Sequence, residues 1–416
     1  MEHPIVIAGG GLAAGSAAKT LRQEGYGGPV RIVAGERRAP YLRPPLSKEF
    51  LKGSGTEAEL EVNPRQWYDE NDVELLLGER AVQIIPAARM VRLESDALLP
   101  YSKLLIATGA QPRRLDVPGA ELEGVHSLRR FEDSLALRSA LSGGDRRVAV
   151  VGTGWIGLEV AAAAREYGNE VTVLGRHTTV LRQLEPALGD VFRRALEAEG
   201  VAFRLGCHPV EFIRSPHGEG VAAVVLNTGE RIAAETVVVA VGVEPETHLA
   251  EEARIPVRNG ILTDASLRTR TPDVYAAGDV ASSLQPFTGE HVRSEHWSNA
   301  LNGGKVAARA MLGQEAALDL APYFYTDQAG LSMEYSGYWQ LVHGAQLVLR
   351  GSIATAEAAK EGFVALWVRD GALVGGMNVN VPRQQKAIKA LIASRARLDP
   401  RRLADPSVPL AELAAT

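Results

Sequence analysis

The chain has 416 residues, 46% of them hydrophobic and 23% charged, with a formal net charge of −5. That length fits two or three domains rather than one core, and the balance of charge argues against nucleic acid or an anionic membrane as partner. A single cysteine, Cys207, excludes any disulfide within the chain, and no apolar run reaches the roughly 18 residues of a membrane span.

The first strand, in "PIVIAGGG", starts within four residues of Met1. It leaves no room for a signal peptide, so a cytoplasmic location is expected. Residues 5–36 then follow a plan of β-branched strand, glycine-rich turn, alanine-rich helix and second strand, and residues 148–177 repeat it. The first turn carries Gly9, Gly11, Leu12, Ala13 and Ala14; the second carries Gly152, Gly154, Trp155, Ile156 and Gly157. In this pattern the first glycine allows the tight turn and the second admits a pyrophosphate. The third small residue lets the helix pack close, with its N-terminal amides facing the phosphates. Two such turns in one chain predict two dinucleotide sites.

The two halves differ where a ribose carboxylate is expected. The first ends at Glu36, which suits an adenosine ribose without a 2'-phosphate, as in FAD. In the second the matching position is Gly175, followed by Arg176, His177 and Arg182. Loss of the acid and gain of planar bidentate donors predict a pocket for the 2'-phosphate of NADPH, with NADH the weaker coenzyme. A solvated basic loop is the alternative. Gly157 gives a counter-signal, because glycine rather than alanine at the third position is more usual for NAD.

Further along, "PYLRPPLSKEF" (40–50), "LLIATGAQPRRL" (104–115), "TPDVYAAGDVA" (271–281) and "EHWSNAL" (295–301) complete the pattern. With these the sequence resembles the oxygenase-coupled ferredoxin reductases, over essentially its whole length. The resemblance implies an α/β chain of the glutathione-reductase-like flavoprotein type, with two Rossmann-like domains and a C-terminal α+β domain. The expected boundaries are 1–112 with 243–320 for FAD, 113–242 for NAD(P)H and 321–416 for the C-terminal domain. Two prolines stiffen the chain before an expected helix start at Ser47, presenting Arg43 to the flavin pyrophosphate. The resemblance places Lys48 near the flavin N5 edge and Glu159 near the nicotinamide, as the catalytic pair. Asp279, after Gly278, is expected at a helix mouth, against the ribityl chain.

Ala107, Thr108 and Gly109 are expected to pass close to the flavin dinucleotide, Arg129 to contact its phosphates with Arg130 as competitor, and Trp297 to face the pyrimidine. Val82, Glu295, His296, Val241 and Gly242 complete the expected cofactor contacts. Tyr325 stands where relatives usually carry Trp, which bears on flavin stacking. Near the C-terminus, 363–380 reads as a hairpin about Asp370-Gly371, then a helix with "QQKAIKALIA", then a tail expected to fray. No metal is expected, since the histidines show no metal-binding spacing, and Cys207 reads as an inert thiol.

The function so implied is electron transfer from NADPH through FAD to a small ferredoxin, expected to be of the [2Fe-2S] type, that feeds an oxygenase or cytochrome P450. An NAD(P)H oxidase or quinone reductase is the enzymatic alternative, and a redox-gated binding switch the alternative of another class. A monomer or homodimer is expected.

Overall fold

The strand Ile5–Ala8 is buried at every residue, as suits a central parallel strand covered on both faces. Its alternation assigns the two faces. Ile5 and Ile7 pack with Ala14, Ala17, Ala18 and Leu21 of the helix Leu12–Gln23, whereas Val6 and Ala8 pack with Val33, Ile84, Val91 and Leu93. Each fully buried Val, Ile or Leu contributes about 1.5–3 kcal/mol relative to exposure, so these two layers define the core.

The computed structural model describes residues 3–216 and 218–413. Its contacts divide the chain into two units: Met1–Pro44 with Thr56–Gln111 and Val243–Leu320, and Pro45–Gly55 with Pro112–Gly242 and Ala321–Thr416. In the first unit five parallel strands run in the order Val274–Ala276, Lys103–Ile106, Ile5–Ala8, Val30–Ala34, Val73–Leu77. The second unit repeats the theme with Ala202–Leu205, Glu170–Gly175, Arg147–Val151, Thr236–Val239 and Val125–His126, again parallel. Within the same unit Tyr323–Gln328, Leu331–Gly337, Ala372–Val379, Phe363–Arg369 and Gln346–Arg350 form an antiparallel sheet. The fold class is the expected one: two Rossmann-like sheets and a C-terminal α+β part.

The hairpin about Asp370-Gly371 is present, with φ of 53° and 81° at the two residues, as a two-residue turn of that hand requires. Two local expectations change. Ser47 ends a 3-10 turn, Pro44–Ser47, rather than starting a helix, because the Lys48 N–H closes back on the Pro45 carbonyl at 3.0 Å. The tail does not fray through residue 413: Leu403, Leu410 and Leu413 are buried, and the Arg350 guanidinium donates to the carbonyls of Asp405 and Val408. Residues 414–416 lie outside the described residues.

Among the described residues no helix is long and apolar enough to cross a membrane, and no group of three or more His, Cys, Asp or Glu could hold a metal ion.

Candidate active site

In the first unit the helix Leu12–Gln23 starts on Gly11 with no capping side chain, so its first amides lack a side-chain acceptor. A Cβ on Gly9 would lie 2.1 Å from the Ala107 carbonyl oxygen, whereas a Cβ on Gly11 would meet nothing within 4 Å. The turn is therefore closed toward the sheet and open on its other side. Ala13 and Ala14 are buried beneath it; Leu12 is half-buried. The passing strand is tied down by Thr108, whose hydroxyl donates to the Glu246 carbonyl at 2.7 Å, and it turns at Gly109 with φ 76°.

Glu36 lies two residues beyond the strand Val30–Ala34. Its carboxylate accepts from the Tyr41 hydroxyl at 2.5 Å and from Arg43 at 2.7 Å, and the Arg43 guanidinium sits 5.0 Å over the Tyr41 ring. Desolvation, the largest influence, pulls the Arg43 pKa down. Tyr41, Glu36 and Asp279 outweigh it and hold the guanidinium above its ordinary value. Asp279 lies in the turn between Val274–Ala276 and Ala281–Leu284, not at a helix mouth. Gly278, at φ 80°, reverses the chain there, and the Ala281 N–H bonds to its carbonyl at 3.0 Å.

His296 and Trp297 start the helix Trp297–Met311, which packs on Leu12–Gln23 so closely that a Cβ on Gly304 would lie 2.4 Å from the Ala13 carbonyl oxygen. Burial pushes the His296 pKa down to about 4. Glu295 pairs with Arg293 at 2.7 Å, and Val82 sits half-buried at a register shift in the strand Ala81–Ile85.

The second unit repeats the cradle. Gly154 caps the helix Trp155–Glu166 without a side-chain bond, and a Cβ there would meet nothing within 4 Å. Gly152, at φ 127°, and Gly157 are tight: their Cβ atoms would lie 2.2 Å from the Ala240 oxygen and 2.4 Å from the Gly152 oxygen. Helix packing alone thus demands glycine at 157, which removes its weight as a signal for NAD. Ile156 is 42% exposed beside the turn. Val241 and Gly242, the latter at φ 95°, come after the strand Thr236–Val239. Arg176, His177 and Arg182 are exposed after the strand Glu170–Gly175, with Arg182 and His177 side-chain nitrogens 3.2 Å apart.

Arg129 also belongs to this second unit. Its backbone N–H and that of Arg130 donate to the Asp133 carboxylate at 3.0 and 2.8 Å, fixing the start of the helix Phe131–Leu141.

Lys48 and Glu159 meet, also within this unit. Nζ lies 2.8 Å from Oε1, with the side chains only 7% and 4% exposed. Glu159 stands one turn beyond Trp155 on the helix, and the strand Tyr323–Gln328 runs alongside. Four helical residues rise about 6 Å, and two strand residues about 6.6 Å. Phe324 therefore packs on Trp155, with centroids 5.3 Å apart, while the Thr326 hydroxyl donates to Glu159 at 2.5 Å. The Ser47 hydroxyl donates to the other carboxylate oxygen. Lys48 also lies 5.3 Å from the ring centre of Tyr325, whose pKa is raised by burial first and by Glu49, Asp327 and Glu159 after it. Ser47 and Thr326 were not expected as site residues. No sequence spacing links positions 47 and 326 to 159: the strand-on-helix register brings Thr326 there, and the 3-10 turn that ends at Ser47 brings the other hydroxyl. Tyr41, the donor to Glu36, also stood unread beside "LRPP", because a loop sequence does not show that the chain folds back to set its hydroxyl on the carboxylate five residues earlier.

Two open glycine turns on 12-residue helices and a buried lysine–glutamate pair are the features that an oxidoreductase with two dinucleotide sites would carry. Residues 3–304 match the family model "Pyridine nucleotide-disulphide oxidoreductase", and residues 323–414 match "Reductase C-terminal". The chain is 38% identical to the anthranilate 1,2-dioxygenase system ferredoxin–NAD(+) reductase component of Burkholderia cepacia, covering 98% of each. It is 36% identical to a rubredoxin–NAD(+) reductase of Pseudomonas putida, covering 92% of this chain and 97% of the other. The reductase in the crystal structure of the covalent putidaredoxin reductase–putidaredoxin complex superposes with a TM-score of 0.94 at 31% identity, over 99% of this chain and 98% of that one. The chain belongs to the pyridine nucleotide-disulphide oxidoreductases, in the branch of the oxygenase-coupled ferredoxin reductases. The names of both of these sequence relatives specify NAD(+), so the expectation of NADPH rests on this chain's own residues.

Proposed function

We propose that this protein is an FAD-dependent reductase that takes electrons from NADPH in preference to NADH and delivers them to a [2Fe-2S] ferredoxin serving an oxygenase or cytochrome P450. The observation that carries the reading is a pair of open, uncapped glycine cradles in a chain with one cysteine. That cysteine, Cys207, is buried in the core of the second unit, where burial above all raises its pKa. With no second thiol in the chain, an internal disulfide cannot relay electrons, and an external acceptor must take them. Ferredoxin and rubredoxin appear in the names of relatives, which favours an iron–sulfur or iron protein as that acceptor.

The residues present in the first unit fit FAD: a turn that admits pyrophosphate at Gly11, a ribose carboxylate at Glu36, and a guanidinium at Arg43 held in its charged form. When bound, FAD supplies the conversion of one two-electron transfer into two one-electron transfers. The protein's part is to position. Glu159 anchors Lys48, and the ammonium's remaining donors are available to an electron-rich edge. Gly175 removes the carboxylate that would repel a 2'-phosphate, and Arg176, His177 and Arg182 offer donors to it.

Steady-state kinetics with the two coenzymes side by side test the preference. A higher specificity constant for NADPH supports it; equal constants defeat it. A turnover that oxygen alone sustains would favour the oxidase reading instead.

A further inference from the structure

Gly175 carries information beyond the loss of an acid. Its φ lies outside the left-handed region, so conformational freedom does not explain the glycine; space does. A Cβ at 175 would lie 2.6 Å from the Thr153 methyl and 2.9 Å from Leu205 Cδ2. Leu205 is the strand partner of Gly175, and its Cδ2 is the end of a flexible side chain. The Thr153 methyl is not: it hangs directly on a β-branched carbon with few rotamers.

Thr153 is fixed by its main chain as well. It sits between the two cradle glycines, and its carbonyl accepts the Leu181 N–H at 3.0 Å. Leu181 itself is at φ 48°, an unusual conformation for leucine, and it directly precedes Arg182. The loop is pinned twice more, by Gly206 N–H to the His177 carbonyl at 3.1 Å and Cys207 N–H to the Gly175 carbonyl at 3.0 Å.

From this we infer that Thr153 is a coenzyme-selecting residue: its methyl occupies the start of the path that a ribose-binding carboxylate at 175 would need, while its carbonyl holds the loop bearing Arg182. The inference rests on the NADPH reading. It implies that restoring the acid alone does not restore NADH use, because the side chain has nowhere to begin.

A cycle of four proteins tests it: wild type, Gly175→Glu, Thr153→Ala and the double variant. Gly175→Glu alone should not raise the NADH specificity constant above that of wild type, because the crowded side chain cannot take up the ribose-binding position. The double variant should raise it about tenfold, the scale of one charge-assisted hydrogen bond. A gain in the single variant equal to that of the double, or no gain in the double, overturns the inference. Should a glutamate at 175 prevent folding, Gly175→Ala decides by melting temperature: it should destabilise, and Thr153→Ala in the same chain should recover much of the loss. A Gly175→Ala protein as stable as wild type overturns the inference too. Calorimetric binding of adenosine 2',5'-bisphosphate against AMP to wild type separates the two readings. Equal affinities would sink the NADPH preference, while the melting cycle still judges Thr153.

Discussion

At the scale of residues, the buried Lys48–Glu159 pair dominates. Removing one partner leaves an uncompensated charge among nearly inaccessible groups, so Glu159→Ala should lower the unfolding free energy in urea by about 3–5 kcal/mol. Replacing both residues by Met should return most of that loss. A Glu159→Ala protein as stable as wild type would show that the pair is solvated. His296 gives a pH signature. Its folded pKa, near 4, lies below the ordinary 6.5, so between those values the unfolded chain binds a proton that the folded chain refuses. Stability therefore falls as pH drops from about 6.5 to about 4 and gains nothing above that window. Urea titrations across pH should show this slope flattened in His296→Gln; an unchanged slope would assign the effect elsewhere. Arg176→Ala should narrow the NADPH-over-NADH preference by about 1–3 kcal/mol, read from specificity constants. An unchanged ratio would make Arg176 a solvated loop residue.

At the scale of elements, the fingerprint helices were legible because three small residues at fixed offsets leave few alternatives. The same clarity misled at Gly157. By pattern, alanine there should favour NADPH; by geometry, its Cβ would meet the Gly152 oxygen at 2.4 Å. Gly157→Ala should therefore weaken binding of both coenzymes and lower the melting temperature. A variant that instead gains NADPH selectivity would contradict the packing argument. Asp279 and Ser47 were misplaced for a related reason: small and proline-rich stretches predict a turn without fixing whether a helix or a strand comes next. The tail was misread because its leucines are sparse, and nothing local in the sequence shows that Arg350, distant along the chain, gathers the carbonyls of Asp405 and Val408. Ser47 and Thr326 show where sequence reading ends, since the Thr326 hydroxyl reaches Glu159 only through the match between helix rise and strand rise, and the Ser47 hydroxyl only through the path of a distant 3-10 turn.

At the scale of the whole molecule, the duplicated strand–turn–helix plan and the lone cysteine were readable from residues alone, and they bound the chemistry tightly. Under the proposed function two nucleotide cradles pass electrons between two bound groups, and a chain with one cysteine hands them to an external acceptor rather than to an internal disulfide. The coenzyme was harder to read, because relatives named for NAD(+) and a loop with Arg176, His177 and Arg182 point in different directions. The most direct measurement is anaerobic oxidation of NADPH by the flavin-loaded protein, with and without a [2Fe-2S] ferredoxin. Little steady turnover is expected without ferredoxin, and with it a rate that rises with ferredoxin concentration and saturates. A rate indifferent to ferredoxin, and restored simply by admitting oxygen, would contradict that expectation.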